Sequence, residues 1–305
     1  MANTRPKRNL GTPTSSRGEE NIGKASVLIE ALPYIKKFYG TTFVFKFGGH
    51  AMLDEQLKQN FAHDIILLWY IGLKPVIVHG GGPQIDSLLK QLGKESRFVD
   101  GLRVTDEKTM DIVEMVLVGK VNKEIVGLIN HLGGKAVGIS GKDGKLLLAK
   151  KVEMKGAVSG DTPDMGRTGD IVGADPKIIR TLELNHFIPV IAPVAVGEDG
   201  MAFNVNADVA AAKLASSLKA EKLIMLTDVD GVLDGSGKLI PDIKSGEVED
   251  LIKSGVIKGG MIPKVRNAVE AIRHGVKKCH IIDGRIPHAV LLEIFTPEGV
   301  GTEIV

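Results

Sequence analysis

The chain has 305 residues, 43% hydrophobic and 25% charged, an ordinary globular balance with length for one large α/β domain or two modest lobes. Its 39 basic and 37 acidic side chains leave a net charge of +2, which gives no general attraction for nucleic acid or an anionic membrane. A single cysteine, Cys279, rules out an intrachain disulfide and suits a reducing compartment, so a cytoplasmic protein is expected; no apolar run approaches the ~20 residues that cross a bilayer.

Residues 1–23 are polar and carry Pro, Gly and Ser without apolar periodicity, so they read as a disordered tail. The basic residues Arg5, Lys7, Arg8 and Arg17 faintly resemble a transit peptide, but Glu19 and Glu20 favour a plain soluble tail. From Lys24 to Tyr39, Val27, Leu28, Leu32, Ile35 and Phe38 fall at helical spacing and Gly40 is a stop. Pro33 inside that pattern should kink the helix or divide it. A strand over Phe43–Phe47 runs into Gly48-Gly49, and a helix follows over 54–71. A second strand, Pro75–His79, ends in Gly80-Gly81-Gly82-Pro83 and a helix to about Leu92. One long helix is predicted from about Asp106 to Leu132, with an apolar stripe through Met110, Leu117, Ile125 and Ile129.

Further strands are predicted at Ala136–Ile139, Ile188–Ala192, Leu223–Thr227 and His280–Ile282, and helices at 206–218, 247–254, 261–274 and 287–295. Residues 141–172, rich in Gly, Lys and Asp, read as a hairpin-bearing insertion rather than core. Alternating β and α elements with continuous apolar strands predict an α/β fold, a three-layer αβα sandwich around a mainly parallel sheet. Cys279 sits in a predicted strand and reads as a structural thiol.

Two strand ends that run into glycines are suited to an anion, because backbone N–H groups approach it closely there and a helix N-terminus favours its charge. Lys46 precedes one of them. The chain lacks the G-x-x-x-x-G-K-[ST] of P-loop enzymes and a strand-linked G-x-G-x-x-G. His79-Gly-Gly-Gly82 looks like an esterase oxyanion loop, but no G-x-S-x-G elbow accompanies it. Protein-kinase signatures are also missing.

Six blocks carry a family resemblance: Lys46-Phe-Gly-Gly49, His79-Gly-Gly-Gly-Pro83, Gly101-Leu-Arg-Val-Thr105, Phe203-Asn-Val-Asn-Ala-Asp208, Thr227-Asp-Val-Asp-Gly231 and Gly259-Gly-Met-Ile-Pro-Lys264. Their order over roughly residues 24–305 resembles that of the N-acetylglutamate kinases of the amino-acid kinase superfamily. The resemblance implies transfer of a phosphoryl group from ATP, with Mg2+ carried in on the nucleotide, to the γ-carboxylate of N-acetyl-L-glutamate in arginine biosynthesis. A lobe over 41–195 would bind the acceptor, and one over 196–305 would bind ATP and an effector.

By the same resemblance Lys46 and Lys264 would neutralise the transferred group, Asp208 would hold both lysines, and Gly49 and Gly81 would add N–H donors. From spacing alone Asp208 is a helix-terminus charge after the N-cap Asn206. Gly82, Arg103 and Asn204 would bind the acceptor, Arg103 through its α-carboxylate. Thr227, Asp228, Val229, Asp230, Gly231 and Val232 would form the nucleotide site with Gly259 and Gly260. Asp228 and Asp230 do not have calcium-loop spacing, and no protein metal site is expected. The helix at 24–40 has an apolar face without an evident intrachain partner. It resembles the helix that links dimers into a hexamer, a trimer of dimers, in arginine-sensitive members. Tyr34, Lys222, His280, Glu293 and Gly299 match their effector region, so L-arginine is the expected inhibitor. Whether a PII-type regulator binds is left open. Two alternatives also remain: another carboxylate or carbamate kinase of the superfamily, and a non-catalytic arginine or nucleotide sensor.

Overall fold

Eight strands, β1 (Thr42–Phe47), β2 (Lys74–His79), β3 (Ala136–Ser140), β4 (Ile188–Ala192), β5 (Lys222–Thr227), β6 (Asp242–Ile243), β7 (Lys278–Asp283) and β8 (Thr302–Ile304), build one central sheet in the order β6-β8-β7-β5-β1-β2-β4-β3. This computed structural model describes residues 16–153 and 163–305. Every pairing is parallel except β7 with β8. The period-2 alternation of a strand explains the three layers. Phe43, Phe45 and Phe47 of β1 enter one apolar core, with Phe61, Ile65, Leu89, Leu117 and Ile129 from the covering helices. Val44 enters the other, with Ala210, Ala211, Leu214, Val265 and Ala268. Lys46 shares the parity of Val44, so it emerges beside the helices Ala207–Leu218 and Met261–Arg273.

The sheet's strand order reverses between β1 and β5, because the chain travels outward from β1 on one side and returns to start the other half at β5. In such sheets ligands bind at the carboxyl ends of the strands beside that reversal. The carboxyl ends there are the glycine loops after β1 and β2 and the Thr227–Val232 segment after β5.

Four expectations need correction. The first helix runs Ser16–Phe38, so residues 16–23 are helical rather than part of a disordered tail. Residues 1–15 lie outside the described residues. Pro33 does not divide this helix. The carbonyl it deprives of a partner, that of Ile29, belongs to a residue 67% exposed, where the lost bond costs less than in a core. The predicted helix over 106–132 is continuous but contains a π-helical stretch, Met115–Val121, between α-helices Glu107–Glu114 and Asn122–His131.

The segment 141–172 is not outside the core. Its strands Leu147–Lys151 and Thr168–Ala174 close a small barrel with Val194–Val196 and Ala202–Val205. Leu146, Leu147, Ala149 and Ile171 are buried in the second core. Pairing all round satisfies backbone groups that an open hairpin edge would leave to water. Part of the segment, 154–162, lies outside the described residues. Cys279 is fully buried and its burial pushes the thiol pKa far up, as a structural thiol requires.

Candidate active site and a second cavity

Asp208 opens the helix Ala207–Leu218, where Asn206 caps by accepting from the N–H groups of Asp208 and Val209 at 2.8 and 3.2 Å. Its carboxylate lies between the two lysines. Lys264 Nζ donates to Oδ2 at 2.7 Å, and Lys46 Nζ stands 3.1 Å from Oδ1, an ion pair off the hydrogen-bond axis. Lys264 arrives there from the first turn of Met261–Arg273 and Lys46 from the end of β1. Burial alone would raise the Asp208 pKa, but the two ammonium groups outweigh it and hold it at about 2. The site therefore keeps one negative and two positive charges at neutral pH, a net positive centre.

Lys46, Asp208 and the glycines Gly48, Gly49 and Gly80–Gly82 line one cavity. Gly49 has φ +71°, and a Cβ there would stand 2.3 Å from Asp228 Oδ1, so a glycine is required on both counts. That Asp228 oxygen accepts from the His50 N–H at 2.6 Å and ties the short turn Gly49–Met52 to the segment after β5.

A second cavity shares Gly80–Gly82 with the first and contains Arg103 and Asn204. Arg103 is 7% exposed and held rigidly. Its NH1 donates to Asp86 Oδ1 at 2.6 Å and to Ser96 Oγ, its NH2 lies 3.4 Å from the Gly82 carbonyl, and its guanidinium lies 4.7 Å from the Phe98 ring centre. Partial burial opposes the charge on Asp86, but Arg103 and Ser96 keep its pKa below the ordinary range. Asn204 Nδ2 donates to Thr105 Oγ1 at 3.1 Å, which leaves its carbonyl oxygen as an acceptor for an amide.

Seven of the eight expected catalytic and acceptor residues line two cavities that share Gly80–Gly82, and the eighth, Lys264, joins them through Asp208. The structure does not bring Thr227–Val232, Gly259 or Gly260 to the walls of either one. Thr227 is buried, Asp230 meets Arg285 at 3.2 Å, and the Val232 N–H donates to Thr302 Oγ1 at 2.9 Å. Gly259 and Gly260 precede the helix that carries Lys264.

Tyr34, Lys222, His280, Glu293 and Gly299 all line a separate wide cavity, with Glu303, Lys278 and Lys37 nearby. His280 Nδ1 lies 2.5 Å from Glu293 Oε1, and Glu293 Oε2 accepts from the Val300 N–H at 2.7 Å. Its Nε2 is buried and lacks a hydrogen bond among the described residues, with the Glu303 carboxylate 3.5 Å away. Burial pulls the His280 pKa down although Glu293 acts in the opposite direction. Glu293's own burial raises its pKa, but His280 and the Val300 N–H outweigh that and hold it low. Lys222 is lowered by burial and by Lys278 and Lys37, against the pull of Glu303 and Glu293.

The profile of the Amino acid kinase family matches residues 41–283. The chain is 60% identical over 286 residues to the acetylglutamate kinase of Geobacter metallireducens, covering 93% of this chain and 98% of that one. It is 56% identical over 291 residues to that of Syntrophus aciditrophicus, covering 94% and 98%. The chain belongs to the acetylglutamate kinases of the amino acid kinase family. Among solved structures, N-acetylglutamate synthase from Neisseria gonorrhoeae, complexed with coenzyme A and N-acetyl-glutamate, aligns with TM-score 0.81 and 29% identity. The match covers 92% of this chain but only 63% of the synthase. A structure of the same synthase with L-arginine aligns at TM-score 0.77 and 27% identity, over 92% and 65% of the two chains. Carbamate kinase from Giardia lamblia, at 19% identity and TM-score 0.62 over 87% and 98%, shares the fold.

Against this acetylglutamate-kinase framework, sequence reasoning missed Asp86, Ser96 and Phe98, which immobilise Arg103. The short antiparallel pairing of Phe98–Val99 with Leu102–Arg103 sets Phe98 opposite Arg103, and Asp86 reaches it from the helix Gly82–Gln91. It also missed Leu117 of the π-helical stretch, which packs so closely on Gly81 that a Cβ there would lie 2.4 Å from its Cδ2. π-helical turns commonly accompany functional sites, but their apolar spacing is indistinguishable from that of an α-helix.

Proposed function

We propose that this chain transfers the γ-phosphoryl group of ATP, delivered with Mg2+ as part of the substrate, to the side-chain carboxylate of N-acetyl-L-glutamate. The observation that carries it is Asp208 gripping both Lys46 and Lys264 beside a cavity furnished with Arg103 and Asn204. A carboxylate oxygen attacks the γ-phosphorus in line, the bond to the β–γ bridging oxygen breaks, and its electrons leave with ADP. The acceptor is ionised at neutral pH, so no general base is needed. The protein's task is positioning and charge neutralisation. Lys46 and Lys264 face the charge spread over the transferred group, and Gly49 and Gly81 offer N–H donors as an oxyanion hole does. Arg103 grips the α-carboxylate, and Asn204 meets the amide. Thr227–Val232 with Gly259 and Gly260 form the nucleotide side.

The test is a hydroxamate assay with ATP and either N-acetylglutamate or aspartate as acceptor. Turnover should be confined to N-acetylglutamate; its absence refutes the reading and favours a sensor, while preference for aspartate points to a related kinase. Arg103→Lys keeps the charge but loses the planar fork, and should raise KM for N-acetylglutamate by about tenfold or more with a smaller change in kcat.

Regulation belongs to the same proposal. The cavity at Tyr34, Lys222, His280, Glu293 and Gly299 places carboxylates and ammonium groups where a zwitterionic amino acid with a guanidinium would find both partners, so L-arginine is the proposed effector. The first helix keeps Val27, Leu28 and Ile29 64–71% exposed while Phe38 docks on its own core. We place this face between dimers of a cytoplasmic hexamer. Leu28→Asp combined with Ile29→Asp should reduce the sedimenting mass to a dimer and weaken arginine inhibition, with turnover retained; an unchanged mass counts against the interface.

A further inference from the structure

His79 ends β2 fully buried, and neither the lysine pair nor the acceptor cavity engages its ring. Its Nδ1 lies 2.7 Å from the carbonyl oxygen of Gly80, and its Nε2 lies 3.2 Å from Asn122 Nδ2. A carbonyl only accepts, so Nδ1 carries the proton and Nε2 accepts from the Asn122 amide. That amide also donates to the Val190 carbonyl at 2.9 Å, and its oxygen accepts from Lys123 Nζ at 3.1 Å. Lys123 in turn donates to the Gly138 carbonyl at 3.0 Å. Each group in this network has one consistent role, and the amide orientation and ring tautomer specify each other. A side chain at Gly138 would destroy it, since a Cβ there would stand 1.9 Å from Asn122 Oδ1. Burial, reinforced by Lys123 and opposed by the Gly80 carbonyl, lowers the imidazole pKa to about 4, so the ring is neutral at neutral pH.

The consequence follows from peptide planarity. The Gly80 carbonyl and the Gly81 N–H belong to one planar trans unit and point in opposite directions. Because His79 holds the carbonyl on its own side, the Gly81 N–H faces the other way, where Gly80–Gly82 form the shared wall of the two cavities. We propose that His79 is a positioning residue for phosphoryl transfer: its Nδ1–H fixes the Gly80–Gly81 peptide so that the Gly81 N–H meets the transferred group, and Asn122 keeps the ring in the tautomer that does this. The proposal rests on the kinase reading above.

Full-length His79→Asn and His79→Gln variants separate the two ring nitrogens. The asparagine amide reaches the position of Nδ1–H, and the glutamine amide reaches that of Nε2. His79→Asn should lose less than about 5-fold in kcat. His79→Gln should lose about 10- to 100-fold at nearly constant KM for both substrates, short of the full cost of deleting an oxyanion donor. Both should lose similar Tm, because each leaves one buried partner unsatisfied. Asn122→Ala, which releases the ring nitrogen Nε2 but leaves the Gly80 carbonyl its Nδ1–H partner, should fall between them in kcat. Equal kcat losses for Asn and Gln, or losses that follow Tm alone, overturn the positioning role while the kinase reading stands. A wild-type enzyme without turnover on N-acetylglutamate overturns both.

Discussion

Lys46→Ala and Lys264→Ala each lower kcat by about 100- to 1,000-fold, with a much smaller change in KM for N-acetylglutamate. The magnitude is that of removing one preorganised contact that acts where charge develops. Arg103 and Asn204 do not touch either ammonium, so acceptor affinity should survive. The double variant should lose less than the product of the two single losses, because both lysines share one carboxylate and one phosphoryl group. Steady-state kinetics with both substrates varied checks this. A single variant with near-wild-type turnover removes that lysine from the mechanism.

Asp208→Asn costs both activity and stability. The amide is nearly isosteric but uncharged, so it leaves two mostly buried ammonium groups facing each other without compensation. Removing one member of such a buried ionic cluster destabilises by about 3–5 kcal/mol. The folded-state pKa of about 2 lies below the ordinary 3.8, so the carboxylate stabilises the folded state above about pH 4. That contribution, about 2 kcal/mol from the shift, is lost as pH falls from about 4 towards 2. Urea unfolding of wild type and variant should therefore differ most at neutral pH and converge in acid. A gap that does not shrink with acid assigns the loss to packing instead. Turnover should fall with it, because the lysines no longer have a common anchor.

Much of the architecture was legible in the chain. Alternating β and α elements with continuous apolar strands gave the layers, and two strand ends declared themselves by their glycines. These are local signals, set by the period of one element. The first helix was underestimated because residues 16–23 lack apolar periodicity, the signal from which a helix is read. The barrel was mistaken for an insertion because composition cannot reveal that four short strands close on one another.

By itself the sequence determined the layers, the two glycine-ended strands and the family. Spacing alone left Asp208 as a terminal charge on a helix, and only the family resemblance made it the holder of both lysines. The tertiary structure brings its carboxylate within 3.1 Å of Lys46 and 2.7 Å of Lys264. Sheet order places the end of β1, the start of Ala207–Leu218 and the start of Met261–Arg273 at one point, and burial there makes a carboxylate between two ammonium groups the stable arrangement. The same is true of Arg103, whose rigidity comes from Asp86, Ser96 and Phe98. Periodicity tells which face of an element is covered, but which faces meet depends on the packing of the whole sheet.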